Sequence, residues 1–109
     1  MKPLYEYHGI AVYEIIDGGK RLSGTYLTTG GNPAIIGSDT AILLYGDLST
    51  SAKYKVCAMD DNNTKLVDCE LVITFNPNGY YEFVWDNYWK GIGLRAGNNH
   101  IGVSYSHPL

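Results

Sequence analysis

The chain has little charge, few cysteines and no clustered basic residues. Charged residues make up 17% of its 109 residues, and eight residues in all are Lys or Arg. Proteins that bind nucleic acid broadly gather Lys and Arg on one face. The basic residues here are dispersed and the formal net charge is −3. The sequence therefore predicts no nucleic-acid partner.

Long apolar runs are also missing. No stretch approaches the roughly 18 apolar residues that a membrane-spanning helix requires, and residues 1–7 lack the apolar centre of a signal peptide. We therefore expect no membrane insertion. The chain as given is expected in the cytoplasm, or in the periplasm or outside the cell if a leader was removed, so its compartment is left open.

Cysteine occurs twice, at Cys57 and Cys69, on either side of a turn signal at residues 60–63. If the apolar neighbours of Cys57 point inward, Cys57 points outward while Cys69 belongs to the inward set of the next strand. Cysteines on opposite faces cannot form a disulfide, so two free thiols are expected. A bulge near Met59 would instead favour a bridge. Because no CxxC motif or nearby His accompanies them, no metal site or cofactor is predicted.

Glycine and tyrosine are abundant, with thirteen and ten copies. Tyrosine favours strands, while glycine supplies turns, bulges and bends. Seven turn signals divide the chain into eight segments and leave no room for crossover helices. They lie at residues 17–19, 30–33, 46–47, 60–63, 76–79, 86–87 and 96–99.

Within the segments, apolar and polar residues alternate as in strands with one buried face. The predicted inward set includes Leu22, Gly24, Tyr26, Thr28, Val67, Cys69, Leu71, Ile73, Phe75, Tyr81, Phe83, Trp85, Ile101, Val103 and Tyr105. Gly9 suggests a bend or bulge in the first strand, at about residues 4–16. Residues 37–39 interrupt the segment 34–45, which predicts a kinked or bulged strand centred on residues 40–45.

These observations predict an all-β chain that forms one domain over residues 1–109. Eight sequential hairpin-linked strands can close on themselves, and closure removes the unpaired edges of an open sheet. We therefore expect a single eight-stranded antiparallel up-and-down barrel, with a β-sandwich as the alternative. A sandwich would need longer connections between its two sheets than the sequence provides.

Several segments resemble small, mostly uncharacterised bacterial β-barrel domains. The resemblance is carried by residues 11–15, 17–19, Leu22, Gly24, Tyr26, Tyr54, Val56, 69–73, 81–85, 91–93 and 101–105. It implies a lipocalin-like or avidin-like barrel of the calycin type, of which many relatives are exported or repeated in tandem. It brings no catalytic or ligand-binding residues with it.

No set of polar residues specifies a reaction. His8 and His100 would meet if the first and last strands pair, but they are expected to be surface residues, as is His107. Glu14 and Glu82 occupy matching places in two aromatic strands, on the side opposite the predicted core. We therefore expect solvated carboxylates rather than a catalytic pair, and a protein that is not an enzyme.

The aromatic residues are the best candidates for a function. Eight-stranded barrels are either filled by side chains or hold one small ligand. The predicted ligand-binding residues are Tyr26, Tyr54, Tyr81, Trp85, Trp89 and Tyr105. The function predicted from them is the binding of a small apolar or aromatic ligand at one end of the barrel.

The alternative is a filled barrel that serves as a structural or protein-interaction module, with a homodimer as one form of it. Tyrosine and tryptophan are enriched at protein interfaces. Aromatic residues predicted to be exposed for this role are Tyr5, Tyr7, Tyr80, Tyr88 and Trp89.

Overall fold

The computed structural model describes residues 5–30, 34–86 and 89–108. The strands are β1 (Tyr5–Ile16), β2 (Arg21–Thr29), β3 (Ile35–Gly46), β4 (Ser51–Asp60), β5 (Lys65–Asn76), β6 (Tyr80–Trp85), β7 (Trp89–Ala96) and β8 (His100–Pro108). A short 3-10 helix, Asp17–Gly19, connects β1 to β2. None of the described residues forms a helix long and apolar enough to cross a membrane.

Each strand pairs antiparallel with the next one along the chain, and β8 pairs with β1. The eight strands therefore form a closed up-and-down barrel, which confirms the predicted fold and excludes the sandwich. The predicted turn signals fall at or between the ends of consecutive strands. We call the end that holds the start of β1 and the end of β8 the near end, and the opposite end the far end.

The core consists of the inward face that alternation predicts. Tyr13, Tyr54 and Phe83 are fully enclosed, together with aliphatic residues of β2, β4, β5 and β8. The predicted inward residues of β6 and β8 are buried, and those of β2 and β5 are buried or half-buried wherever the side chain is described. The prediction for the side chain of Val67 lies outside the described residues.

Tyrosines of the core lie across glycines of the neighbouring strand. The directly paired partners are Tyr13 with Gly24, Tyr26 with Gly37, and Tyr105 with Gly9. A Cβ atom added to Gly24 would lie 2.6 Å from two ring carbons of Tyr13, well inside van der Waals contact. The many tyrosines and glycines therefore have a common cause, because a large ring can lie flat on the barrel wall where the wall has no side chain.

The bulge predicted at Gly9 is not found there. β1 pairs with β2 without interruption from His8 to Ile16, and the irregularity in its pairing with β8 lies between Tyr5 and Tyr7. Gly9 is needed for space, since a Cβ atom would meet the phenol end of Tyr105 and lie 2.6 Å from the carbonyl oxygen of Leu27.

The interruption predicted at residues 37–39 is also wrong. β3 is continuous from Ile35 to Gly46, and it pairs regularly with β2 throughout the predicted interruption. Gly37 and Asp39 belong to its inward face. The irregularity in its pairing with β4 lies between Leu43 and Tyr45, within the residues for which a kinked or bulged strand is predicted. Gly37 and Asp39 are of residue types common in turns, but here they lie on the inward face of a continuous strand.

Candidate functional site

A cavity of about 440 Å³ opens at the near end of the barrel. Strands from all around the barrel contribute to it. The described residues that line it are Tyr7, Tyr26, Thr28, Ile35, Asp39, Val56, Ala58, Leu66, Cys69, Trp85, Asp86, Trp89 and Tyr105.

Asp39 and Ala58 lie side by side on the wall of this near-end cavity. Asp39 pairs directly with Gly24 on β2 and with Ala58 on β4. Its neighbours on the same face of β3 are Gly37 and Ala41, because side chains of a strand alternate between faces. None of these four neighbours carries more than a methyl group. The rings of Tyr13 and Tyr26 cover Gly24 and Gly37, and Ala58 is the neighbour that lines the cavity beside Asp39.

The opposite wall is aromatic. The rings of Trp85 and Trp89 both pack on Tyr105, with centroid distances of 5.5 and 5.7 Å. Tyr7 packs on Trp89 at 5.8 Å, and Phe83 packs beneath Trp85 at 5.4 Å. These distances are typical of favourable aromatic pairs. A continuous layer of rings therefore lies across the barrel from Asp39 and Ala58.

Hydrogen bonds fix two of the rings at the cavity. The hydroxyl of Tyr26 donates to the carbonyl oxygen of Met59 at 2.9 Å, and the hydroxyls of Tyr105 and Thr28 share a hydrogen bond of 2.6 Å. Burial raises the pKa of Tyr26 to about 12, so its phenol stays neutral at ordinary pH. The hydroxyls of these two tyrosines therefore already have partners.

Asp39 places a carboxylate inside the barrel. It is 9% exposed, and its Oδ2 accepts a hydrogen bond of 2.6 Å from the Tyr13 hydroxyl. The ion pairs among the described residues are Lys53 with Glu70 and Lys65 with Asp68, so no described cation pairs with Asp39. Burial raises the pKa of Asp39, and the hydrogen bond from Tyr13 offsets part of that rise.

The raised pKa of Asp39 gives a pH-dependent contribution to stability. An acid that binds its proton more tightly in the folded state favours folding at pH values below its unfolded pKa, and this contribution is lost as the pH rises through the folded pKa. We expect Asp39→Asn to be more stabilising relative to wild type near pH 7 than near pH 3.

This prediction is tested by urea unfolding of both proteins across that pH range. The difference in the free energy of unfolding should grow from the ordinary Asp pKa of 3.8 upward. A difference that does not change with pH would show that Asp39 titrates as it does in the unfolded chain.

The structure brings together four of the six predicted ligand-binding residues. Tyr26, Trp85, Trp89 and Tyr105 line the near-end cavity. Tyr54 lies instead in the filled core, where its hydroxyl donates to the carbonyl oxygen of Gly19 at 2.5 Å. Tyr81 lines a different cavity, of about 490 Å³, at the far end.

The histidines do not form a cluster. β1 and β8 pair as predicted, but His8 opposes Ser106 and His100 opposes Glu14, near the two ends of β1. His8 and His100 therefore do not meet, because antiparallel register separates them along the strand. Both are exposed, whereas His107 packs on Trp89 with a centroid distance of 5.1 Å.

The predicted exposure of the two glutamates is confirmed, whereas the predicted exposure of the aromatic residues is wrong wherever the side chain is described. Glu14 and Glu82 are exposed, as expected. Tyr7, Tyr80 and Trp89 are half-buried rather than exposed, because Tyr7 and Trp89 pack on each other at the cavity and the Tyr80 hydroxyl accepts a hydrogen bond from Asn76. The side chain of Tyr5 and all of Tyr88 lie outside the described residues.

Both cysteines are free thiols, in agreement with their predicted faces. Cys69 opposes Val56, and Cys57 opposes Asp68, so the two side chains point to opposite sides of the sheet. The irregularity near Met59 does occur, but it lies beyond both cysteines toward the near end. Cys69 lines the cavity, and burial raises its pKa to about 12.

Sequence reasoning missed Asp39 and its partner Tyr13 as residues of the site. Alternation along β3 carries the signal, since Gly37, Asp39 and Ala41 fall on the same face.

The fold and the cavity together define the class of protein: an eight-stranded up-and-down barrel with an aromatic-lined cavity at its near end. Compared with protein-family models, curated proteins and solved structures, the chain matches none.

Proposed function

We propose that this protein is a non-enzymatic binding barrel that holds a small apolar or aromatic ligand in its near-end cavity. The observation that carries the proposal is a cavity of about 440 Å³ lined mainly by rings and aliphatic groups. Ligand pockets span roughly 300–1,000 Å³ and are predominantly apolar, with few polar groups. The resemblance to lipocalin-like and avidin-like barrels agrees with this mode of binding, since such barrels hold one small ligand inside.

The lining is arranged before any ligand arrives. Tyr26 and Tyr105 have their hydroxyls bonded to Met59 and Thr28, and both side chains are buried. A ligand that enters such a cavity does not have to order its walls, and pre-ordered sites bind with a smaller entropic cost.

The described lining residues also support a role without catalysis. Cys69 is the one thiol among them, and its pKa of about 12 keeps it protonated at ordinary pH, where a thiol is a poor nucleophile. Asp39 has a phenol as its hydrogen-bond partner and no described base beside it. The groups around the cavity are therefore suited to contact a ligand rather than to transform it.

Tryptophan fluorescence tests the proposal directly, because both tryptophans of the chain line the cavity. Titration with the neutral apolar probe N-phenyl-1-naphthylamine, followed by a library of small aromatic metabolites, should give saturable quenching of their emission. A ligand in van der Waals contact with Trp85 and Trp89 changes the environment of both rings.

Two variants that add the same bulk at opposite ends locate the binding. Ala58→Phe places a ring in the near-end cavity and should weaken probe binding by about tenfold or more. Ser49→Phe adds the same ring at the far-end cavity and should leave binding unchanged. With both variants folded by circular dichroism, equal binding by the two, or no quenching by any compound, would contradict the proposal.

A second candidate function is self-association, and one surface favours it. Four aliphatic side chains on the outer faces of β1 and β7 are between 53% and 66% exposed. They flank two small residues of β8 in direct register, which gives a continuous and mainly apolar surface. This surface, the outer patch, consists of Ile10, Val12, Ile92, Leu94, Gly102 and Ser104.

If the outer patch joins two copies of the chain, Leu94→Lys should shift the protein toward monomer, because a charge in an apolar interface is costly to bury. Sedimentation at micromolar concentration measures this. Ile42→Lys is the matched control, since Ile42 is similarly exposed at 48% but lies outside the patch on β3. A wild-type protein that sediments only as a monomer would contradict the homodimer.

A further inference from the structure

The near-end cavity carries negative charge and no described positive charge. Asp39 lies within it and Asp86 lies at the start of the β6–β7 connection, and both line it. No Lys, Arg or His occurs among its described lining residues. Two acidic side chains among thirteen described lining residues give more negative charge per residue than the whole chain has, since its formal net charge is −3 over 109 residues.

Asp39 is enclosed to a degree that is unusual for a carboxylate. It is 9% exposed, and the Tyr13 hydroxyl is its one hydrogen-bond donor among the described residues. A carboxylate accepts several hydrogen bonds, and buried carboxylates are ordinarily paired with a cation or fully hydrogen-bonded. The side chain therefore has accepting capacity left beside the cavity.

The aromatic wall has the matching electrostatic property. The faces of Trp and Tyr rings carry partial negative charge, and they attract ammonium groups within about 6 Å of the ring centroid. Trp85, Trp89 and Tyr105 form one layer at the cavity. The ring faces and the carboxylates thus favour the same kind of ligand charge.

We propose that the ligand is a small organic cation, an amine carried on an aromatic or apolar body, with its ammonium group at Asp39 and its body against Trp85 and Trp89. This inference rests on the proposed binding function and specifies its ligand class. An anion of the same shape would lose its hydration beside the carboxylate and gain no cation in return. A neutral compound would keep the aromatic contacts but lose the charge-assisted hydrogen bond.

Three compounds of closely similar shape separate these cases. They are 2-phenylethylamine, 2-phenylethanol and 3-phenylpropanoate, each titrated against wild-type protein with tryptophan emission as the readout. We expect the amine to bind at least about tenfold more tightly than the alcohol, because a hydrogen bond between charged groups is worth more than a neutral one. The carboxylate compound should bind most weakly.

Asp39→Asn keeps the shape of the side chain and its acceptor for Tyr13, but removes the charge. It should reduce amine affinity to that of the alcohol and leave alcohol affinity unchanged. Asp47→Asn is the matched control, because Asp47 is a carboxylate that lines the far-end cavity, and it should change neither affinity.

The outcomes separate this inference from the proposed function. Equal binding of amine and alcohol to wild type, or unchanged amine affinity in Asp39→Asn, would overturn the cation inference. Absence of amine binding would overturn it too. If N-phenyl-1-naphthylamine still binds in that case, the proposed function stands, and if no compound binds, both fail. The wild-type comparison gives this answer even if a variant does not fold.

Discussion

Replacing Gly24 by alanine is expected to lower the free energy of unfolding by about 3 kcal/mol, at the upper end of the usual range for overpacking. The new Cβ atom would lie 2.6 Å from the ring of Tyr13. That ring cannot move aside, because it is fully buried and its hydroxyl is bonded to Asp39. Urea unfolding measures the loss, and in a chain of this length each kcal/mol lowers the melting temperature by roughly 4–8 °C.

Gly102→Ala is the matched control for this prediction. Gly102 also lies within a strand, but a Cβ atom there meets nothing within 4 Å. Glycine in a strand is destabilising relative to alanine by roughly 0.5–1 kcal/mol, so this variant should be slightly stabilised. If Gly24→Ala and Gly102→Ala had the same stability, the account of glycines as space for tyrosine rings would be wrong.

Tyr13→Phe is expected to lower the free energy of unfolding by about 2 kcal/mol near pH 7, as is usual for loss of a hydrogen bond to a charged group. The substitution keeps the ring and its packing on Phe83, but it removes the one described donor to Asp39. Because this hydrogen bond lowers the pKa of Asp39, its loss should matter more at high pH than at low pH.

A double-mutant cycle isolates this interaction. In an Asp39→Asn background, Tyr13→Phe should have a smaller effect, since the acceptor is then neutral and a neutral hydrogen bond contributes about 1 kcal/mol. Equal effects of Tyr13→Phe in both backgrounds, at every pH, would show that the charge of Asp39 plays no part in this contact.

Much of the fold can be predicted from alternation and turns. Strands β5, β6 and β8 show clear period-two patterns, and glycine, asparagine and aspartate mark the strand ends. The number of strands and their inward faces can therefore be predicted. The bulge predicted at Gly9 and the interruption predicted at residues 37–39 are wrong, because the structure has regular pairing at both places. Glycine there serves a neighbouring ring, and such a long-range need leaves no local pattern that differs from a bulge signal.

The candidate site is less accessible to sequence reasoning. Alternation gives the face of a residue but not its height along the barrel, so it places Tyr81 with Trp85 although they lie at opposite ends of β6. Counting from the turns could have separated them, since alternate turns lie at the same end of an up-and-down barrel. Asp39 was missed because a carboxylate among small residues is more typical of a turn than of a buried wall.

The central claim is that the near-end cavity holds a small aromatic ligand. A crystal structure of the protein grown with saturating 2-phenylethylamine or N-phenyl-1-naphthylamine tests it most directly. The account predicts electron density for the compound between the rings of Trp85 and Trp89 and the side chains of Asp39 and Ala58. A cavity filled by the protein's own rings, with the compound absent from it, would contradict the account.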